Sequence, residues 1–135
     1  MTDRPPRRKT LQRQIIRDVF AAEGRPLSTK QAAAAAKKRL PSLGIATVYR
    51  AIRDLVGEKW LVPLTLAGET RFELSGIDHH HHFHCSSCDQ VFDIEGCAGN
   101  VERLAPKGFV AIAHEITVEG LCDSCGSKTP RGKKR

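Results

Sequence analysis

Four of the five cysteines are arranged as two pairs, each with two residues between its members. Cys85 and Cys88 form the first pair, and Cys122 and Cys125 form the second. Two thiolate pairs fill the four positions of a tetrahedral Zn²⁺ ion, and such a closed site leaves no position open for catalysis. The spacing predicts structural zinc. A redox dithiol is the alternative, because the gap between the pairs is longer than in most zinc ribbons.

A run of histidines over residues 79–84 leads directly into the first cysteine pair. In an extended strand, His80 and His82 face one side while His79 and His81 face the other. One strand can therefore serve two metal sites, and imidazole with carboxylate suits Zn²⁺, Fe²⁺, Mn²⁺ or Ni²⁺. The nearest acidic candidates are Glu73, Asp93 and Glu95. A solvated polar strand without metal is the alternative.

Two further residues with ligand chemistry lie apart from these groups. His114 is alone in its neighbourhood, and it can meet His79 and His81 only if their strands are neighbours. Cys97 is expected to be a small buried thiol, since free cysteines are commonly buried and inert. A soft metal ligand and a redox-sensitive thiol are the other interpretations.

The first half of the chain predicts three helices. Apolar residues recur at helical spacing over 11–22. Ser28 and Gln31 form a capping box that opens a second, alanine-rich helix, which Pro41 terminates. A third helix begins near Thr47.

The third helix carries an aromatic and cationic face, followed by a hairpin. Tyr49, Arg50 and Arg53 lie off its apolar stripe. Two alternating segments, 61–66 and 70–74, flank a glycine turn. Three helices and a hairpin suggest a winged helix-turn-helix, whose third helix enters the major groove of DNA. An ordinary charged surface helix is the alternative.

The second half predicts a small mixed unit beyond a hinge at residues 75–77. We expect strands over 82–85, 91–94 and 109–121, and a helix over 101–105. A unit of about 60 residues is only marginally stable unless a metal or a partner contributes. Both cysteine pairs lie in this second half, where a bound metal would add that stability.

The 135 residues carry a net charge of +7, concentrated at both ends of the chain. Such a balance favours a polyanionic partner. The odd cysteine count, the paired spacing and the missing signal peptide predict a reducing, cytoplasmic location. No apolar run approaches the roughly 20 residues that a membrane span needs, so no membrane partner is expected.

Several of these motifs, taken in order, resemble one family. They are the stretch 43–50, the stretch 71–74, the histidine run with its cysteine pair, and His114 followed by 120–125. Across about residues 10–125 the chain is similar to the ferric uptake regulator (Fur) family of bacterial metal-dependent repressors.

The resemblance implies an α+β protein that acts as a homodimer on palindromic operator DNA and is not an enzyme. It implies a winged-helix DNA-binding domain with a basic N-terminal arm over 1–75. A small α/β zinc-containing dimerisation domain over 76–126 and a basic tail over 127–135 would follow.

The resemblance also assigns roles to individual residues. The implied DNA-binding residues are Arg13, Thr47, Tyr49 and Arg50. The implied structural zinc ligands are Cys85, Cys88, Cys122 and Cys125. The implied regulatory ligands for Fe²⁺ or Zn²⁺ are Glu73, His80, His82 and Asp93, and those of an additional metal site are His79, His81 and His114.

Two departures from the family pattern bear on which metal is sensed. The loop at residues 24–27 lacks the histidine that iron and peroxide regulators usually place there, which weakens a peroxide-sensing role. Asn100 stands where the additional site often has an acidic ligand. A zinc-sensing or peroxide-sensing member of the family is the alternative, and a metal-storage protein or metalloenzyme is the alternative from a different class.

Overall fold

The computed structural model describes residues 7–97 and 99–127. The chain forms two compact units, the first ending at Gly76 and the second beginning at Ile77. The basic arm before residue 7 and the basic tail beyond residue 127 lie outside the described residues. Across the described residues, every helix is too short or too polar to cross a lipid bilayer.

Three helices build the first unit: α1 (Arg7–Glu23), α2 (Thr29–Arg39) and α3 (Ile45–Gly57). Helix α1 begins earlier than the apolar periodicity predicts. Its first turns are polar, so they carry no periodic apolar signal. The predicted capping box opens α2: the Ser28 hydroxyl accepts the Gln31 N–H, and the Gln31 side chain accepts the Ser28 N–H.

The three helices enclose an apolar core. Helix α3 contributes Val48, Ile52 and Leu55 to this core, all on one face. Ile16 and Phe20 of α1 pack into the same cluster. Burying side chains of this size stabilises the fold by about 1.5–3 kcal/mol each, so this stripe fixes which face of α3 points outwards.

A two-stranded hairpin completes the first unit as a winged helix-turn-helix. Strands β1 (Leu61–Leu66) and β2 (Glu69–Leu74) pair antiparallel. Their turn places both Ala67 and Gly68 at positive φ, the geometry that suits a tight hairpin. Leu27 and Phe72 exchange two backbone hydrogen bonds of 2.9 Å, which tie the hairpin to the segment between α1 and α2.

The second unit is a three-stranded sheet with the order β4-β3-β5. The central strand β3 (His80–Cys85) pairs antiparallel with β4 (Val91–Glu95) and parallel with β5 (Thr117–Gly120). A 3-10 turn covers Val101–Leu104, and a short helix, α4 (Asp123–Gly126), follows β5.

The expectation of one long strand over 109–121 is wrong for its first part. Only Thr117–Gly120 is a strand, and among the described residues the segment 109–116 pairs with no other strand. A segment with alternating side chains forms a β-ladder only when a neighbouring strand is available. Side chains of this segment such as Val110 and Ile112 are exposed. The segment expected to be a helix at 101–105 is a 3-10 turn.

Candidate metal centres and nucleic-acid interface

The cysteine cluster joins the end of β3 to the start of α4. Cys85 ends β3 and Cys88 follows in the turn, while Cys122 and Cys125 lie at and within α4. The four sulfur atoms lie within 4.8 Å of one another, and those of Cys88 and Cys122 are 3.9 Å apart. A tetrahedral zinc with four Zn–S bonds has edges of about 3.8 Å, so these residues fit a structural zinc ion.

The pKa values of three of these thiols are shifted, and not all in the same direction. Hydrogen bonds from backbone N–H groups, first that of Cys88, lower the pKa of Cys85 to about 6. At Cys88 the Gln90 backbone N–H lowers the pKa, but burial and the neighbouring thiols outweigh it and raise the pKa to about 11. The Ser87 hydroxyl lowers the pKa of Cys125, yet Cys122 and burial raise it overall. A divalent cation held by these four residues would supply the positive charge that stabilises four thiolates.

A second cluster faces one side of β3 and includes two of its histidines. The register places His82 opposite Asp93 of β4. The Asp93 Oδ1 atom lies 3.4 Å from His82 Nε2 and 3.7 Å from His80 Nε2. His80 Nδ1 donates to the Asp78 carbonyl at 2.8 Å, which places the ring lone pair on Nε2, the atom on the side of Asp93. Of the other acidic candidates, Glu95 lies opposite His80 in the sheet, and Glu73 lies on β2 of the first unit.

A third cluster lies on the opposite face of β3, as the alternation of its side chains predicts. His79, His81 and His114 are close together: His79 Nε2 and His114 Nε2 are 3.2 Å apart. Burial, followed by the charges of the surrounding histidines, lowers the pKa of His81, so its ring stays in the neutral form that binds metals. His114 reaches this cluster from the irregular segment 109–116 rather than from a strand.

Cys97 belongs to this third cluster, and the expectation that it is buried is wrong. Its thiol is exposed and lies 3.2 Å from His81 Nε2 and 3.1 Å from His114 Nε2. Because its nearest partners in the cluster are 16 and 17 residues away in sequence, spacing alone could not identify it. Asn100 adopts a left-handed backbone conformation with φ of 49°.

His84, the last histidine of the run, is in none of the three clusters. It is buried, with Nε2 at 2.7 Å from Asp89 Oδ1 and Nδ1 at 3.2 Å from Glu119 Oε1. These contacts join β3 to β5 and to the turn after Cys88. His84 therefore helps to hold the turn after Cys88 against the sheet.

A cationic groove separates α1 from α3 in the first unit. Its volume is about 480 Å³, and it contains Arg13, Thr47 and Arg50, three of the four residues expected to contact DNA. The fourth, Tyr49, is 55 % exposed on α3. Arg53, which the sequence also placed on the cationic face of the third helix, lines the groove together with Arg8, Lys9, Gln12, Ala51 and Asp54. Arg13 also forms an ion pair with Glu58, which orients its guanidinium.

Comparison with known proteins decides which family has this combination of winged helix and metal clusters. The ferric uptake regulator family matches residues 6–119, most of the chain. The chain belongs to the ferric uptake regulator family. It is a metal-responsive transcriptional regulator, as its sequence predicts.

The names of individual relatives of this Fur-family regulator refer to the uptake of different metals. The ferric uptake regulation protein of Bordetella parapertussis is 31 % identical over 123 residues, which cover 86 % of this chain and 87 % of the relative. FurB from M. tuberculosis, a zinc uptake regulator, is 25 % identical with a TM-score of 0.51, covering 92 % of this chain and 99 % of that one.

A third comparison supports the α+β fold alone. A zinc-bound manganese uptake regulator has a TM-score of 0.73 at 20 % identity, covering 82 % of this chain and 87 % of that chain. The names of the relatives include iron, zinc and manganese, so family membership does not by itself decide which metal this Fur-family chain senses. The chain has a four-cysteine site suited to structural zinc and histidine sites suited to regulatory metal.

Proposed function

We propose that this chain is a cytoplasmic, homodimeric repressor that binds operator DNA when a divalent metal occupies its regulatory site. The observation that carries the proposal is the cationic groove between α1 and α3. Five cationic side chains line it, against the single carboxylate of Asp54. A surface of this kind suits the phosphate backbone of a duplex, and an adjacent exposed helix suits the reading of bases.

Helix α3 is the recognition helix in this proposal. Its apolar stripe is buried in the core, so Thr47, Tyr49 and Arg50 are presented on the outer face. The Arg50 guanidinium donates to Thr47 Oγ1 at 3.4 Å, which holds it near the start of the helix. Arginine in the major groove reads guanine, whereas Arg13 and the cations of α1 fit the phosphates.

The regulatory metal is proposed to bind His80, His82 and Asp93, with Glu73 as the ligand from the first unit. Only residues 75–79 separate the strand that carries Glu73 from the strand that carries His80. A metal held by both units restricts their relative orientation. The two winged helices of a dimer could then match successive major-groove half-sites.

Either Fe²⁺ or Zn²⁺ fits this imidazole and carboxylate set, and zinc is bound more strongly at most nitrogen and oxygen sites. The loop at residues 24–27 supplies no histidine, which counts against peroxide sensing. We further propose that His79, His81 and His114 hold an additional divalent metal on the other face of β3.

A second copy of this chain is proposed to cover the exposed apolar surface of the second unit. Val110 and Ile112 are 86 % and 95 % exposed, and Leu104 and Phe109 are also largely exposed. The segment 109–116 has the alternation of a strand without a strand partner among the described residues. Pairing with the same segment of a second chain would bury these side chains and complete a ladder.

Selection of duplexes from a random pool by the metal-loaded full chain tests the DNA-binding proposal. We expect a palindromic sequence, protected symmetrically in a footprint. Arg50→Ala should weaken binding by about 1–3 kcal/mol and relax the preference at one base pair in each half-site. The matched control is Arg39→Ala, which removes an exposed arginine at the end of α2. Recovery of unrelated sequences only, with equal losses in both variants, would show that the chain is not a sequence-specific repressor.

A further inference from the structure

We infer that Cys97 is a metal ligand, and that it converts the additional three-histidine site into a site of three imidazoles and one thiolate that prefers zinc. The inference rests on the additional metal site of the proposed function and names its missing fourth ligand. The thiolate replaces the acidic ligand that Asn100 cannot supply.

The distances within the cluster are close to those of a tetrahedral zinc site. Cys97 Sγ lies 3.2 Å from His81 Nε2 and 3.1 Å from His114 Nε2, and His79 Nε2 lies 3.2 Å from His114 Nε2. With Zn–N bonds of 2.0–2.1 Å and a Zn–S bond of 2.3 Å, the edges of a tetrahedron are about 3.3–3.6 Å. Small side-chain movements therefore suffice to place all four atoms around one ion.

Three separate segments bring these ligands together. His79 immediately precedes β3, His81 lies near the start of that strand, Cys97 follows β4, and His114 precedes β5. All four ligand atoms lie within 4.8 Å of one another. The rings of His79 and His114 contact each other edge to face, with centroids 4.8 Å apart. The sheet thus places an exposed thiol against a preformed group of imidazoles.

His81 makes a hydrogen bond that bears on how it can bind a metal. The Ile116 backbone N–H donates to His81 Nδ1 at 3.1 Å, which assigns the proton of the neutral ring to Nε2, facing Cys97. Binding of a metal through Nε2 would require this proton to lie on Nδ1 instead, and the hydrogen bond from Ile116 would be lost. This loss would reduce the net contribution of His81 to metal affinity.

The thiolate determines which metal the site prefers. Soft sulfur ligands favour zinc, whereas carboxylate oxygens favour manganese and other harder cations. The regulatory cluster on the other face of β3 combines His80 and His82 with the hard carboxylate of Asp93. One face of β3 thus offers a metal a soft sulfur ligand, and the other face offers a hard carboxylate oxygen.

Cobalt substitution in the full chain tests this inference. Zinc is kept in the four-cysteine cluster, all other metal is removed with a chelator, and Co²⁺ is added as the probe. The variants are Cys97→Ser, which removes the thiolate, and Cys97→Asp, which replaces it with a carboxylate. The readouts are Co²⁺ and Zn²⁺ bound per chain and the near-ultraviolet charge-transfer band of a thiolate bound to cobalt. In parallel, peptide mass spectrometry measures alkylation of Cys97 with and without added Zn²⁺.

We expect the unaltered chain to show the charge-transfer band and Zn²⁺ to protect Cys97 from alkylation. Cys97→Ser should lose the band and more Zn²⁺ affinity at this site than the roughly 10–100-fold cost of removing an outer-shell partner. Cys97→Asp should bind metal without the band and shift its preference towards Mn²⁺. Cobalt that enters equally well and with the same spectrum in Cys97→Ser would overturn the role of Cys97 while leaving the three-histidine site and the repressor proposal intact. No cobalt at this site in the unaltered chain would overturn both the inference and the additional site, and DNA selection would still test the repressor separately.

Discussion

At the scale of single side chains, the thiols of Cys85, Cys88 and Cys125 in the metal-free cluster differ in pKa. Backbone hydrogen bonds favour the thiolate of Cys85, whereas burial and crowding favour the thiols of Cys88 and Cys125. The metal-free cluster therefore resists accumulating four negative charges. Zinc binding is therefore coupled to the release of protons from the thiols.

The affinity of the cysteine cluster for zinc should rise steeply with pH between 7 and 8. In the metal-free state Cys85, with a pKa of about 6, is already ionised in this range. Cys88, with a pKa of about 11, and Cys125, whose pKa is also raised, must each release a proton to bind zinc. Release of at least these two protons corresponds to an increase in affinity of at least about 100-fold per pH unit. Competition with a chromophoric chelator at the two pH values measures this slope, and a change below about tenfold would contradict the proton assignment.

The capping box of α2 also holds a buried cation. Arg71 of β2 is 0 % exposed, and its guanidinium donates to Gln31 Oε1 at 3.2 Å. The same oxygen accepts the Ser28 N–H at 3.0 Å. One amide oxygen thereby joins the start of α2 to the hairpin.

Gln31→Ala should lower the free energy of unfolding of the first unit by about 1–3 kcal/mol, since a buried charge loses a hydrogen-bond partner. Gln14→Ala is the matched control, because Gln14 makes only an exposed hydrogen bond to Asp18 within α1. That change should cost only about 0.2–0.5 kcal/mol. Chemical denaturation of both variants measures the difference, and equal losses would contradict the role given to Gln31.

At the scale of secondary-structure elements, the segment 109–116 is where sequence and structure disagree. Its alternation is that of a strand, yet it pairs with no strand among the described residues. Both observations are explained if the partner strand comes from a second chain.

Ile112→Asp should therefore prevent dimer formation, because it places a charge at the centre of the proposed interface. Leu11→Asp is the matched control, since Leu11 is an exposed apolar residue of α1 in the first unit. Sedimentation velocity of the zinc-containing proteins should give a monomer for Ile112→Asp and a dimer for Leu11→Asp. A dimer in both variants would show that a different surface forms the interface.

Local signals predicted the elements that depend on local chemistry. The Ser28 and Gln31 pair located the start of α2, and the apolar stripe of α3 predicted the outward position of Tyr49. The position of Cys97 could not be predicted in this way, because it depends on how β3, β4 and β5 assemble. The additional length of α1 was missed because its first turns lack apolar periodicity.

At the scale of the whole molecule, a metal can act as a signal only if it binds one state of the protein more tightly than another. The proposed switch requires the metal-bound chain to prefer the arrangement that fits operator DNA. A hundredfold preference corresponds to about 2.7 kcal/mol, which lies within the usual range of coupling energies between two sites. Linkage requires operator DNA to increase metal affinity by the same factor.

The most direct test is the operator affinity of the full chain that retains its structural zinc, measured with the regulatory metal present and after its selective removal. The operator is the duplex recovered by selection, and zinc analysis verifies that the cysteine cluster remains loaded. We predict that affinity falls by about 100-fold on removal, returns when Fe²⁺ or Zn²⁺ is restored, and stays low in Asp93→Asn at the same metal concentration. Equal affinity in the loaded and stripped proteins would contradict the claim that metal binding controls DNA binding.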